Sequence, residues 1–111
     1  MGLDKGPDDS SRLVKTKGLL TLIEFRAPWC AVCKQQSSIV EQIGREFSFS
    51  LEIQQIDIEE NAAIAIEMGV LSVPTLILYK YGREYLRFIG LQNIDKIRSI
   101  LQKHFEEEKR K

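Results

Sequence analysis

The sequence lacks net charge: sixteen Lys and Arg offset sixteen Asp and Glu, so no general field draws the chain to phosphate backbones. No nucleic acid partner is expected. Long apolar runs are missing as well. The longest mostly apolar stretches, residues 19–23 and 69–79, fall far short of the roughly 20 residues a spanning helix needs, so no membrane partner is expected. The first nine residues hold Gly2, Gly6, Pro7 and three Asp, with none of the apolar core of a signal peptide. That points to a cytoplasmic protein. Soft metal ligands are scarce, with two Cys and one His, His104, so a four-ligand zinc site is short of donors. Internal repeats are absent too.

What is present is an ordinary globular composition, 43% hydrophobic and 29% charged over 111 residues. That suits one domain with one core and argues against disorder. Residues 1–9 read as a flexible N-terminal segment, 10–106 as the domain, and 107–111 as a charged C-terminal tail.

Asp9, Ser10 and Ser11 can cap a short first helix ending near Gly18. Residues 19–25 are apolar on both alternating faces, as in a strand buried between two layers. Ile39, Ile43 and Phe47, four apart, predict one helical stripe after the cysteines. Residues 51–58 read as a second strand whose apolar phase slips at Gln54 and Gln55, which suggests a bulge. Residues 61–68 form a helix closed by Gly69. Residues 75–79 and 85–89 flank a short connection containing Gly82 and predict an antiparallel hairpin. Asn93 caps a last helix whose Ile94, Ile97, Leu101 and Phe105 share a face. His104 is expected on that helix's surface. The order is helix, strand, helix, strand, helix, strand, strand, helix, an α/β fold with a central mixed sheet flanked by helices.

Both cysteines fall in the turn that follows the first strand, at the start of a predicted helix. Positions i and i+3 of a first helical turn lie about 5 Å apart at Cα, inside the window a disulfide requires. Cys30 meets unsatisfied N–H groups and the positive end of the helix dipole, both of which favour thiolate. It is the expected nucleophile. Cys33, one turn deeper, is better placed to resolve a mixed disulfide on Cys30. The rival readings are an inert core pair or a structural staple, and closing so small a loop removes little chain entropy.

The segment Phe25-Arg26-Ala27-Pro28-Trp29-Cys30-Ala31-Val32-Cys33-Lys34, followed by Gly69-Val70-Leu71-Ser72-Val73-Pro74-Thr75, resembles the thioredoxin family. The resemblance runs from about residue 18 to residue 105 and includes Gly82 and Gly90. It implies a thioredoxin fold, a protein-disulfide oxidoreductase, a cis Pro74 packed on the disulfide, and backbone at Val73 that grips an extended substrate. Trp29 and Gly90 then border the substrate site, although a core position for Trp29 fits the sequence equally.

Departures from the family pattern are also legible. Ala31 and Val32 replace the usual Gly-Pro between the cysteines, Ser38 replaces a kinking Pro, and the family's buried Asp and partner Lys align with Glu24 and Gln55. Residues 1–8 match the usual first strand poorly, so that strand is a candidate for being missing. Glu24 interrupts an apolar strand, and loss of water raises a carboxyl's pKa. It is the expected proton acceptor for Cys33. Arg26 and Lys34 flank the motif and, if they face Cys30, favour its thiolate.

The expected function is reduction of disulfide-containing protein substrates by a Cys30/Cys33 dithiol. No cofactor and no metal are expected; a separate reductase is the electron donor, and the chain acts as a monomer. The alternatives are a net disulfide oxidase or isomerase, a non-catalytic thioredoxin-like scaffold, and an iron–sulfur cluster bridged by two subunits.

Overall fold

Strand β1 (Leu20–Arg26) buries every side chain but its last, because helices cover both faces of the sheet it centres. The computed structural model describes residues 20–110. The helix expected over residues 9–18 and the question of a first strand lie outside them. The order of elements is β1, α1 (Ala31–Glu46), β2 (Glu52–Asp57), α2 (Ala62–Glu67), β3 (Thr75–Lys80), β4 (Arg83–Ile89) and α3 (Ile94–Lys109). Among the described residues the sheet runs β2-β1-β3-β4. The β1–β2 pair is parallel, with α1 as the crossover, and β1–β3 and β3–β4 are antiparallel. This is the mixed, helix-flanked sheet expected from the sequence.

Alternation along β1 divides the core in two. Leu20 and Leu22 pack with Val40, Ile43, Ile97 and Leu101 on the side of α1 and α3. Ile23 and Phe25 pack with Ile56, Ile64 and Ile77 on the side of α2. Each fully buried Leu, Ile or Phe contributes roughly 1.5–3 kcal/mol, so β1 anchors both layers and fixes the position of the turn that leaves it.

The predicted bulge at Gln54 and Gln55 is corrected: β1 and β2 pair without interruption from Thr21 and Glu52 to Arg26 and Asp57. The apolar phase slips because the two faces of β2 serve different cores. Ile53 packs against the α1 side and Ile56, an odd number of residues on, against the α2 side. The irregularity lies instead between Leu78 and Tyr79, where β3 meets β4. Gly44 lets α1 approach β2, since a Cβ there would lie 2.8 Å from Ile53 Cγ1.

The predicted hairpin forms, and Tyr81 (φ 55) and Gly82 (φ 80) make its tight turn, the positive pair that a two-residue hairpin requires. Asn93 caps α3, its side chain accepting from the Lys96 N–H at 2.8 Å. That helix continues through residues 107–109, part of the stretch read as a tail. His104 is corrected from surface to core. It is 4% exposed and edge-on to Phe105, because the buried stripe of α3 runs Ile97, Leu101, His104. On α1 the stripe is likewise shifted, with Cys33, Gln36, Val40 and Ile43 buried.

Candidate active site at the N-terminus of α1

The chain leaves β1, turns through residues 27–29, and enters α1 with Cys30 as its N-cap in extended conformation (φ −100°, ψ 104°). Cys30 Sγ accepts the Cys33 N–H at 3.1 Å, which places this sulfur on one of the four amides a helix start leaves unpaired. Cys30 and Cys33 form a disulfide with Cα atoms 5.2 Å apart, close to the separation their spacing predicts. The two are unequal in access: Cys33 is 2% exposed, whereas Cys30 is partly open.

Cys30 Sγ lies 4.0 Å from the Val73 carbonyl oxygen. The Val73–Pro74 peptide bond is cis. Gly90 donates its N–H to the Pro74 carbonyl at 2.9 Å, with φ at 90°, a conformation open to Gly at no steric cost. Trp29, Val32, Leu71, Ile89 and Leu91 are exposed on the turn, the helix start, the end of β4 and the loops that adjoin these residues. Trp29, 66% exposed, is therefore no core residue. Its indole N–H donates to Glu59 Oε2 at 2.6 Å.

Beneath the disulfide turn lies a buried polar cluster. Glu24, 0% exposed, shares the α1 face of β1 with Leu20 and Leu22. Its Oε2 accepts the Ser37 hydroxyl at 2.7 Å and its Oε1 accepts Gln55 Nε2 at 3.0 Å. Gln55 Nε2 also reaches Glu41 at 3.2 Å. Burial pushes the Glu24 pKa up, nearby Glu41 adds to this, and the bonds from Ser37 and Gln55 with the charge of Arg26 pull part of the way back. The net displacement is upward. Arg26 donates to Ser37 Oγ at 3.1 Å, so this guanidinium is engaged beside Glu24. Lys34 and Cys33 line a common cleft of about 370 Å³ with Arg26 and Ser37.

The seven site residues expected from the sequence fall in two groups. Cys30, Cys33, Trp29, Val73, Pro74 and Gly90 lie around the helix start, and Glu24 lies in the layer below.

Two polar residues were missed. Gln36, 0% exposed, accepts the Gln92 N–H at 2.7 Å and donates to the Gln92 carbonyl at 3.1 Å, tying α1 to the segment after Gly90. Ser37 bonds Glu24. Their signal was available: they stand three and four residues after Cys33, on its own helical face.

A Cys-x-x-Cys disulfide capping a helix that covers a mixed sheet defines a thiol–disulfide oxidoreductase. A family model described as Thioredoxin matches residues 8–103. The thioredoxin of Bacillus subtilis is 32% identical over 104 residues, 94% of this chain and 99% of its own length. That of Pyropia yezoensis is 34% identical over 82% of this chain and 85% of its own. A solved mutant thioredoxin from Halobacterium salinarum superposes with a TM-score of 0.75 at 30% identity, covering 81% of this chain and 78% of its own. The chain belongs to the thioredoxin family.

Proposed function

We propose that this protein reduces disulfides in other proteins, with Cys30 as nucleophile and Cys33 as resolving thiol. The observation that carries the reading is the inequality of the pair: Cys30 is partly open at a helix N-terminus and Cys33 is 2% exposed behind it. The reduced Cys30 thiolate attacks a substrate sulfur, the substrate S–S bond breaks, and one substrate thiolate departs. Cys33 then gives up its proton and attacks Cys30 Sγ, expelling the second substrate thiolate. Two electrons pass from the dithiol to the substrate, and the protein is left as the Cys30–Cys33 disulfide. A separate reductase returns those electrons; no bound cofactor or metal takes part.

Glu24 is the proton acceptor for Cys33, a role supported by its burial and its raised pKa. Val73 offers backbone to an extended substrate, with Pro74 and Gly90 holding that backbone beside Cys30, and Trp29 supplies apolar contact. Such a reductase works as a monomer in a reducing compartment, the cytoplasm.

Equilibration with glutathione tests the direction. The Arg26 guanidinium is directed to Ser37 and its charge acts on Glu24, so it favours the Cys30 thiolate less than its place beside the motif suggests. The expected potential therefore lies nearer the thioredoxin reference of about −270 mV than the protein disulfide isomerase value of about −180 mV. A potential at or above about −180 mV overturns the reducing direction and favours the oxidase or isomerase reading.

A further inference from the structure

Glu24 has a donor on each oxygen, Ser37 on Oε2 and Gln55 on Oε1, and each donor is a candidate carrier for the proton that leaves Cys33. Ser37 is the one suitably placed. It follows Cys33 by four residues on α1, which brings the two side chains onto one face a turn apart. Both border the cleft of about 370 Å³, and Gln55 does not. A cleft of this size has room for several waters.

A hydroxyl can also do what an amide does poorly, accepting one proton while releasing another. The Ser37 oxygen has one proton and two lone pairs. The proton is directed to Glu24 at 2.7 Å and one lone pair takes the Arg26 N–H at 3.1 Å. The second lone pair is left for the cleft.

We propose that Ser37, oriented by Arg26, relays the proton of Cys33 to Glu24 during resolution of the mixed disulfide. The inference rests on the reading of Glu24 as proton acceptor. The Cys33 S–H bond breaks, and the proton passes to Ser37 Oγ directly or through one cleft water. The original Ser37 proton moves to Glu24 Oε2, and Ser37 ends with its hydroxyl restored. The Cys33 sulfur then bonds to Cys30 Sγ, and the Cys30–substrate S–S bond breaks with its electron pair on the substrate sulfur. The charged and polar groups around this path are Arg26 on β1, Lys34 and Glu41 on α1, and Gln55 and Asp57 on β2.

Stopped-flow mixing of the reduced full-length protein with 5,5′-dithiobis(2-nitrobenzoate) separates the two steps. Release of the first aromatic thiolate follows Cys30, and release of the second follows Cys33. In Ser37→Ala the first release should stay within about twofold of wild type, and the second should slow about tenfold at its high-pH plateau, a modest share of what a general base supplies. The acid limb of the second phase should also move to higher pH, because a hydrogen bond that holds the Glu24 pKa down is removed. Ser37→Thr, which keeps the hydroxyl, should restore both rate and limb.

A wild-type second phase in Ser37→Ala, alongside a slowed one in Glu24→Gln, overturns the relay and leaves Glu24 as acceptor. So does a Ser37→Thr variant as slow as Ser37→Ala. An unchanged second phase in Glu24→Gln overturns the reading of Glu24 itself, and the relay with it.

Discussion

Replacing Glu24 by Gln should make the protein more stable at neutral pH while slowing it. The carboxylate is 0% exposed and keeps a charge from water that two hydrogen bonds and the neighbouring Arg26 offset only in part, so its pKa stands above the ordinary 4.5. Gln has the same shape, and its amide can accept from one of the two donors. Exchanging charge-assisted for neutral hydrogen bonds costs about 1 kcal/mol, and relief of a buried charge returns several. The net gain is about 1–3 kcal/mol at pH 7, the difference between those two opposing effects. At roughly 4–8 °C per kcal/mol for a domain near this length, a Tm increase of at least several degrees follows.

The pH dependence carries the sign. A carboxyl with a raised folded-state pKa holds its proton more tightly in the native protein, so between the two values the native state binds the extra proton. The stability this contributes is full below about 4.5 and is lost as pH rises through the folded value. The two proteins should therefore match near pH 4, with the variant pulling ahead as pH rises. Urea unfolding of both oxidised proteins from pH 4 to 8 measures the gap. Parallel curves, or a variant less stable at pH 7, refute the argument.

Gly44→Ala should destabilise by about 1–2 kcal/mol through crowding of Ile53 Cγ1, despite the better helix propensity of Ala. The loss should vanish in an Ile53→Ala background, a coupling that urea denaturation of the double-mutant cycle reads directly. Tyr81→Asn should stabilise the hairpin by up to about 1 kcal/mol, since Tyr81 sits at φ 55, where Asn is better tolerated; thermal melts giving a lower Tm would refute this.

The sequence was most legible where one physical signal acted alone. The largely apolar run of β1, the Asn93 cap and the Gly82 turn each specify local structure with no help from partners, and each appears in the fold. The Cys30 and Cys33 spacing likewise fixed the local geometry of the pair. Legibility failed where a residue serves a tertiary neighbour. Gln54 and Gln55 broke an alternation that makes sense only when Ile53 and Ile56 are assigned to separate cores. His104 read as surface because a polar side chain on a helix suggests water until its packing on Phe105 is known. The helical face that Gln36 and Ser37 share with Cys33 is legible in the sequence, but their partners, Gln92 and Glu24, lie 56 and 13 residues away, and no local period encodes those bonds. Arg26 was read with the cysteines next to it in sequence, and its guanidinium instead meets Ser37 on α1.

The most direct test of the central claim, a nucleophilic Cys30 resolved by Cys33, is mass spectrometry under non-reducing conditions after each single Cys→Ser variant meets a disulfide-containing protein. Cys33→Ser should accumulate a covalent adduct through Cys30, because attack remains and resolution is lost. Cys30→Ser should form none and reduce nothing. An adduct on Cys33 in the Cys30→Ser variant, or equal turnover in both, would contradict the assignment.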